Sequence, residues 1–509
     1  MDKYACPAGE MKPQTKRSQL ATDHTLHNPI TTPLYIGFVH AEGYSGRLVT
    51  QYLLDHPQLS KSFTLAIGVR SRKKLLSYFP NLPSSIPVYE LDVTEYDQVE
   101  AAVKKAKVVA STVGPYMKFG TPVVCACARH GVHYVDITGE TTWIYDIIHQ
   151  WDYLAYKTHA IIVPSCGFDS IPADISVHLA NKTLKALSTP STPSADIASS
   201  VSAVTFKGGI GPGTFATALT FFGEVPKRKK QFSERDWCLS PVTGDPSPRP
   251  RLVYTLPYTK PPVHGGFFIM LNANRAIVQR TAGLLALFSQ SETCSDRADI
   301  LPYGQHFTYD EFMVQPSHFA ALRLTLAAAI GGFCLAFFAP ARWLVKMLVP
   351  KSGHGPSQEY AVSAFAASGF ANRSIARSLK DGYMTYTNVS TSDSAPDSRP
   401  TRIRTVIKGN GDPGLLLTAI MLAESALCLL PSSGAHLPPL AKKGGVLTPM
   451  TAMGDALIER LKETGKFEFE SEVLLSDEEE DRKASVFQRL GVTEVCHPFT
   501  ILIISHLAK

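Results

Sequence analysis

The most informative stretch of the sequence is residues 34–46, which read LYIGFVHAEGYSG. Residues 34–39 form a short apolar run with β-branched and aromatic side chains, which is the pattern of a buried strand. Apolar residues then recur at helical spacing beyond the glycines at 43 and 46. A strand, a glycine turn and a helix in this order predict a dinucleotide-binding turn, in which backbone N–H groups meet a pyrophosphate. We therefore expect cofactor contacts at Gly43, Ser45 and Gly46.

A basic cluster ends the second predicted strand, residues 63–69. Arg70 lies near the position, roughly 20 residues beyond the glycine turn, where an acidic residue would hold the ribose of NAD. Arginine at this place favours the 2′-phosphate of NADP, and Arg72 adds positive charge. The alternative is that these side chains are only solvated at the start of a helix.

Strands continue to alternate with helices through the first third of the chain. Further apolar strands are predicted over 86–93, 107–113, 133–136 and 160–164. This alternation predicts an α/β fold with a Rossmann-type, doubly wound parallel sheet. In such a sheet the ligand lies beyond the carboxyl ends of the strands, where the polar loops fall.

Length and composition exclude several other classes of protein. The chain has 509 residues, of which 44% are hydrophobic and 18% charged, so it is not a disordered polyelectrolyte. A net charge of +6 over this length gives no indication of nucleic-acid binding. The nine cysteines are scattered without a C-x-x-C pair, which predicts no metal site, no disulfide scaffold and a reducing compartment.

Six separate motifs carry a resemblance to a known family. They are GPY at 114–116, GTPVV at 120–124, HYVD at 133–136 with GE at 139–140, CGFDSIP at 166–172, GDPG at 411–414 with AESA at 423–426, and GGVLTP at 444–449 with GDA at 454–456. The sequence resembles the saccharopine dehydrogenase-like oxidoreductases, and most closely the branch called trans-acting enoyl reductases. The resemblance covers residues 34 to 465, with looser stretches in the middle.

The resemblance implies an NADP-dependent oxidoreductase that reduces an enoyl intermediate of lipid or polyketide (secondary metabolite) biosynthesis. Its substrate would be a hydrophobic acyl or polyketide chain, which could be carried by a carrier protein, and a homodimer is an open expectation. Carried over by position, the cofactor contacts include Gly114 and Pro115, and Asp92 lies near the adenine. A saccharopine-type amino-acid dehydrogenase and a cofactor-weak, lipid-associated scaffold protein remain as alternatives.

The resemblance also implies a second α+β domain inserted into the Rossmann core. The expected organisation is a disordered tail over 1–33, the NADP-binding domain over 34–175, the second domain over 176–439, a returning segment over 440–466, and an acidic linker and tail over 467–509.

The glycine turn departs from the family pattern, which reads like G-A-T-G-[FY]-T-G. His40 replaces the first glycine, and Glu42 replaces a small neutral residue. A carboxylate within about 4–6 Å of a pyrophosphate would cost on the order of 3 kcal/mol, which is roughly a hundredfold in affinity. Weakened cofactor binding is therefore an open alternative.

Two residues are catalytic candidates. Tyr116 follows the fourth strand and could donate a proton or hydrogen-bond a thioester carbonyl; the alternative is that it shapes the nicotinamide pocket. Asp169 could act as an acid, or it could cap a helix. Asp136 and Glu140 are further carboxylates at strand ends, and Cys166 is expected to be a packed residue.

An uncharged segment, residues 324–341, is at the lower length limit for a membrane span. Because the chain must return to the same fold, a membrane-touching element or a core helix is preferred to a true span. The basic tetrad 227–230 would suit an acidic carrier protein or a membrane surface, with a solvated loop as the alternative. We expect a cytoplasmic protein with this segment peripheral on a lipid surface.

Overall fold

The computed structural model describes nine stretches of the chain. The described residues are 35–39, 43–168, 170–189, 195–209, 212–259, 261–290, 301–348, 381–393 and 399–474. The predicted tail 1–33, the turn residues His40 and Glu42, and the catalytic candidate Asp169 lie outside them.

The first sheet has seven strands, all parallel. The strands are β1 (Tyr35–Val39), β2 (Thr64–Val69), β3 (Val88–Glu90), β4 (Val108–Ser111), β5 (His133–Asp136), β6 (Ile161–Val163) and β13 (Gly445–Val446). Their order in the sheet is β13-β6-β5-β4-β1-β2-β3. The order reverses direction at β1 and β4, which is the switch point at which doubly wound sheets bind ligands. The predicted fold class is confirmed.

Helices cover both faces of this sheet, which explains why most residues of its central strands are apolar. They are α1 (Tyr44–Leu54), α2 (Arg72–Tyr78), α3 (Tyr96–Val103), α4 (Tyr116–Phe119), α5 (Thr121–His130) and α6 (Thr141–Thr158). Successive residues of a strand face opposite sides. Val108 and Ala110 accordingly belong to one core cluster and Val109 to the other.

The second sheet also has seven strands. They are β7 (Ile197–Lys207), β8 (Tyr254–Thr255), β9 (His264–Gly266), β10 (Thr308–Val314), β11 (Tyr383–Ser392), β12 (Arg402–Asn410) and β14 (Phe467–Leu474). Their order in the sheet is β14-β12-β11-β7-β10-β9-β8. The sheet is antiparallel except for the parallel pair of β7 and β10.

The remaining helices lie between and around the two sheets. They are α7 (Ile171–Lys185), α8 (Pro212–Glu224), α9 (Lys227–Ser233), α10 (Leu271–Ser289), α11 (His318–Phe337), α12 (Ala339–Leu348), α13 (Thr418–Cys428), α14 (Pro449–Ala452) and α15 (Gly454–Glu463). Helix α7 packs against β11, β12 and β14 of the second sheet, whereas α13 packs against α1 of the first.

The structure differs from the expected domain boundaries at two places. Residues 467–474 were expected in an acidic linker and tail, but they form the edge strand β14, in which each residue from Phe467 to Leu474 pairs with β12. Residues 418–428 were expected in the second domain, but as α13 they contact α1, β4 and β5. The chain therefore returns to the first sheet earlier than residue 440.

The apolar segment 324–341 spans two helices rather than one. Helix α11 begins after Ser317, whose hydroxyl accepts a hydrogen bond from Ala320 N–H, and ends before Phe338. Helix α12 starts at Ala339. Among the described residues, α11 is the one helix long and apolar enough to cross a membrane. Its side chains are mostly exposed, with Ala321 alone buried, so α11 is not a core helix.

Candidate active site

The amino end of α1 presents backbone N–H groups to the carboxyl ends of the strands. Gly43 precedes the helix in an extended conformation, and its first turn contains no acidic residue and no side-chain cap within the described chain. Since the first N–H groups of a helix have no partner inside the helix, this end can bind an anion. Gly46 is buried in the first turn. The placement of Gly43, Ser45 and Gly46 therefore fits the pyrophosphate of a dinucleotide.

Arg70 and Asp92 lie at the carboxyl ends of the neighbouring strands β2 and β3, and both are exposed. Two hydrogen bonds from Thr94 hold the pKa of Asp92 below its ordinary value, and the charge of Arg70 contributes to the same shift. Arg72 begins α2, where its backbone N–H donates to Glu90 Oε2 at 3.0 Å. The structure thus brings Arg70 and Asp92 together at the end of the sheet where the adenosine of a dinucleotide binds.

Arg47 is a further cation that the sequence pattern did not indicate. Its guanidinium carbon lies 4.2 Å from the ring centroid of Tyr78 and 5.3 Å from that of Tyr44. It therefore places positive charge between α1 and α2. In the sequence Arg47 looks like any other polar residue of an amphipathic helix. Its position in the first turn is the one feature that could have indicated a cofactor contact.

Tyr116 does not reach the cleft with its hydroxyl group. The side chain is 4% exposed, and its hydroxyl donates to the Ser111 carbonyl at 3.0 Å and accepts from Ile137 N–H at 3.3 Å. Burial, with the nearby Asp136 charge, raises the pKa of Tyr116 well above its ordinary value. The structure does not support the proton-donor role, because the hydroxyl is buried and already bonded. Its location fits the alternative, in which Pro115 and Tyr116 shape the pocket.

Glu140 fixes the loop that Gly114, Pro115 and Tyr116 form. Its Oε1 accepts from Tyr116 N–H at 2.8 Å, and its Oε2 accepts from Met117 N–H at 2.9 Å. The hydroxyl of Thr217, from α8 of the second domain, donates to Oε1 at 3.1 Å. Burial raises the pKa of Glu140, and these hydrogen bonds oppose the rise. Glu140 is therefore a positioning residue that joins both domains at the strand ends.

Asp136 has a similar structural role at the end of β5. Its Oδ1 accepts from Thr138 N–H and Ser165 N–H, both at 2.9 Å, and its Oδ2 accepts from Tyr134 hydroxyl at 2.8 Å. The side chain is 0% exposed, and burial raises its pKa to about 7. Its contacts all point into the protein, so it holds the loops after β5 and β6 rather than a ligand.

The loop of the second domain at Gly208 and Gly209 contacts Asp412 and Pro413, at the start of a helical turn (Pro413–Leu417) that packs against α1. Gly209 N–H donates to Asp412 Oδ2 at 2.6 Å, and a Cβ at position 208 would lie 2.6 Å from Pro413 Cδ, so Gly208 permits this close approach. Burial raises the pKa of Tyr44, and Asp412 is near enough for its charge to contribute. This loop therefore closes one side of the cleft above α1.

Three aromatic side chains form an apolar cluster between the two sheets, in which Phe168 and Phe268 are buried and Phe206 is partly exposed. The ring centroids of Phe168 and Phe206 are 5.4 Å apart, and that of Phe268 is 6.2 Å from Phe206. The backbone N–H of Phe168 donates to the Thr418 hydroxyl at 3.1 Å, which fixes the loop after β6. Cys166, in the same loop, is 0% exposed, and burial raises the pKa of its thiol, as its predicted packing role requires.

Comparisons with known proteins agree with this geometry. Residues 36–160 match the family described as the saccharopine dehydrogenase NADP binding domain. A protein of Mycobacterium tuberculosis, whose assignment as a trans-acting enoyl reductase is provisional, is 31% identical over 84% of this chain and 94% of its own length. A trans-acting enoyl reductase of Mycobacterium bovis is 27% identical over the same shares.

A solved structure shows a more distant likeness. Apo saccharopine dehydrogenase (L-Glu forming) from Saccharomyces cerevisiae aligns over 87% of this chain and 100% of that chain, with 12% identity and a TM-score of 0.48. At this distance the likeness supports no assignment of individual residues.

The parallel sheet, the α1 amino end and Arg70 together define an oxidoreductase domain that binds a dinucleotide. The chain belongs to the trans-acting enoyl reductase family of saccharopine dehydrogenase-like oxidoreductases. Its cofactor is NADP. The described residues fit this group, since cations lie where a 2′-phosphate would bind and N–H groups face the pyrophosphate position.

Proposed function

We propose that this protein reduces a carbon–carbon double bond in an enoyl intermediate of lipid or polyketide biosynthesis. Its relatives from Mycobacterium are named for enoyl reduction. The observation that carries the proposal is the 31% identity, over 84% of the chain, to a relative named for this reaction. The mostly buried cluster of Phe168, Phe206 and Phe268 makes the surroundings of the strand ends apolar, which suits a hydrophobic acyl chain better than an amino acid with two carboxylates.

The cofactor, when bound, supplies the hydride for the β-carbon of the enoyl group. The chain's own residues would bind and orient both reactants. Gly43, Ser45 and Gly46 would hold the pyrophosphate, Arg70 and Arg72 would hold the 2′-phosphate, and Asp92 would lie at the adenosine end. Gly114 and Pro115 border the nicotinamide, in a loop that Glu140 fixes through two backbone N–H groups. Asp169 remains the predicted acid.

The proposal includes the cellular setting. The substrate is a hydrophobic acyl or polyketide thioester, carried by coenzyme A or a carrier protein, and the enzyme works in the cytoplasm, as a homodimer.

Turnover of 2-enoyl thioesters of increasing chain length tests the function. Oxidation of NADPH is followed by absorbance, and kcat/KM is expected to rise with chain length, since each buried CH₂ contributes about 0.8 kcal/mol. Saccharopine with NADP and an α-amino dicarboxylate are the controls. If the protein turns over the amino-acid substrates but no enoyl thioester, the proposal is wrong and the protein is an amino-acid dehydrogenase. Binding of NADPH without turnover of any substrate would favour a scaffold.

A further inference from the structure

The helices α11 and α12 carry a large apolar surface that the described residues leave exposed. On α11 the exposed side chains recur at helical spacing, so they share one face: Leu326 45%, Ile330 63%, Phe333 56% and Phe337 73%. On α12 they are Trp343 61%, Leu344 52% and Met347 64%. Soluble proteins rarely expose an apolar patch of this extent unless it binds something. We call this surface the apolar face.

The first turns of α11, below the apolar face, are attached to the second sheet. Phe267 N–H donates to the Thr325 hydroxyl at 2.9 Å, and a Cβ at position 266 would lie 2.5 Å from the Ala321 carbonyl oxygen. The first turns of α11 are thus seated against β9, and the rest of the helix projects from the sheet. Arg342 Nη1 donates to the Leu335 carbonyl at 2.8 Å, which fixes α12 against the end of α11.

Basic side chains lie beside the apolar face. Lys230 Nζ donates to the Phe222 carbonyl of α8 at 2.9 Å, and α8 contacts both α11 and α12, so α8 links α9 to the two helices of the apolar face. Lys229 is paired with Asp146 at 2.5 Å, whereas Lys227 and Arg228 are exposed. Helices that lie in a membrane interface combine an apolar face containing Trp, Phe and Leu with flanking cations. The cations favour anionic headgroups.

We infer that the apolar face docks into one leaflet of a lipid bilayer with anionic headgroups, which Lys227 and Arg228 contact. The strands on either side of the segment, β10 and β11, belong to one sheet, so the chain enters and leaves on the same side. A helix of 20 residues is about 30 Å long. It could lie in the interface or insert obliquely without carrying the sheet across.

A single helix, α8, connects the apolar face to the candidate active site. Helix α8 contacts both α11 and α12, and its Thr217 hydroxyl donates to Glu140. Docking would therefore hold the strand ends beside Glu140 close to the membrane, from which a hydrophobic acyl substrate could be taken. This last point rests on the proposed function, whereas docking itself does not.

Flotation of the full chain with vesicles tests the inference. We expect the protein to float with phosphatidylcholine vesicles that contain phosphatidylserine, and to be released by carbonate. Phe337→Glu should abolish flotation, whereas Tyr153→Glu, at an equally exposed site on α6 (73%), should not. Lys227→Glu with Arg228→Glu should weaken binding at least about thirtyfold, because each cation contributes about 1 kcal/mol. Lys61→Glu with Lys466→Glu makes the same change in net charge and should have little effect.

Four results would overturn the inference. They are no flotation of the wild-type chain, equal loss in the control variants, equal flotation without phosphatidylserine, and resistance to carbonate, which would indicate a true span. Absence of flotation would also mean that another segment of this chain covers the apolar face. NADPH binding, measured on the same samples, separates these results from failure of the proposed function.

Discussion

Arg70 is the side chain on which discrimination between NADP and NAD depends most. It is exposed at the carboxyl end of β2, and its charge acts on Asp92. A hydrogen bond to a charged group contributes about 1.5–3 kcal/mol. We therefore expect Arg70→Ala to weaken NADPH binding roughly ten- to hundredfold and to leave NADH binding unchanged. Fluorescence titration with both cofactors measures this difference.

Lys61→Ala is the matched control for Arg70→Ala, because Lys61 is exposed near the amino end of the same strand. It should change neither affinity. An equal loss of NADPH and NADH affinity in Arg70→Ala would contradict the assignment, since it would indicate a disturbed fold rather than a lost phosphate contact.

Tyr116 gives a second prediction, about the proton donor. Tyr116→Phe keeps the ring packed on Trp143, with centroids 5.4 Å apart, but removes the hydrogen bond to the Ser111 carbonyl. We expect a loss of about 1 kcal/mol in the free energy of unfolding and a kcat within a few-fold of the wild type. A fall in kcat of about a hundredfold or more, the size of a lost general acid, would restore the proton-donor role.

Among the helices, α1 is held in place by a buried ionic cluster. Glu424 of α13 is 2% exposed and accepts from Tyr52 hydroxyl at 2.5 Å and from Arg460 Nε at 2.8 Å; His56 Nε2 lies 3.2 Å away. Burial alone would raise the pKa of Glu424, but the His56 contact, the Arg460 charge and the Tyr52 bond outweigh it, so the pKa is lowered. The AESA motif thus positions the helix whose amino end meets the cofactor.

Arg460→Met tests this cluster. Removing one partner of a buried ion pair costs about 3–5 kcal/mol, and we expect such a loss in urea unfolding at neutral pH. Because the folded-state pKa of Glu424 is lowered, its contribution to stability is present above the unfolded pKa and is lost as the pH falls through the folded pKa. The difference between variant and wild type should therefore shrink in acid.

Lys462→Met is the control on the same helix, since Lys462 forms an exposed pair with Glu459. It should cost less than about 1 kcal/mol. If Arg460→Met costs no more than Lys462→Met, the cluster does not stabilise the position of α1.

Across the whole molecule, Asp174 joins the segments that lie between the two sheets. It belongs to α7, accepts from the Thr281 hydroxyl of α10 at 2.6 Å, and accepts from Met450 N–H of α14 at 3.0 Å. The side chain is 0% exposed, and burial raises its pKa to about 7 against both hydrogen bonds. The folded protein is therefore more stable when this carboxyl is protonated, because burial disfavours the charge more than the two hydrogen bonds favour it.

Asp174→Asn should flatten the dependence of stability on pH. Because the folded-state pKa is raised, the stability contributed by the protonated group is present below the unfolded pKa and is lost as the pH rises through about 7. Between about pH 5 and about pH 8 the wild type should lose on the order of 2 kcal/mol more than the variant. Urea unfolding at both pH values measures this.

Asp97→Asn, at an exposed site on α3, is the control for the pH experiment. It should keep the wild-type dependence on pH. The same dependence in Asp174→Asn would mean that Asp174 is ionised in the folded protein at low pH, contrary to its burial.

The parts of the fold that could be predicted are those that a short, continuous stretch of sequence determines. A glycine turn after an apolar strand, and Arg70 at the end of the next strand, indicated the parallel sheet and its cofactor. Contacts between distant segments have no such signal. Thr217 meets Glu140 across 77 positions and Gly209 meets Asp412 across 203, so the closure of the cleft became visible only in the structure.

The burial of Tyr116 could not be predicted from the sequence, because it also depends on contacts between distant segments. Its position after a strand predicts a place at the cleft, but its side-chain direction depends on packing against Trp143, which the chain reaches later. Likewise, the acidic linker and tail were predicted to begin at residue 467, whereas Phe467–Leu474 form strand β14, in which buried or partly buried residues alternate with exposed ones over most of its length. Strand pairing with β12, rather than local composition, decides that segment.

Direct titration with NADPH is the most immediate test of the central claim, which is that the amino end of α1 and the ends of β2 and β3 hold this cofactor. The full chain is titrated by calorimetry, with NADH under the same conditions. We predict binding of NADPH in the micromolar range or tighter, and NADH binding at least about tenfold weaker. No binding of NADPH, or equal binding of both cofactors, would contradict the account.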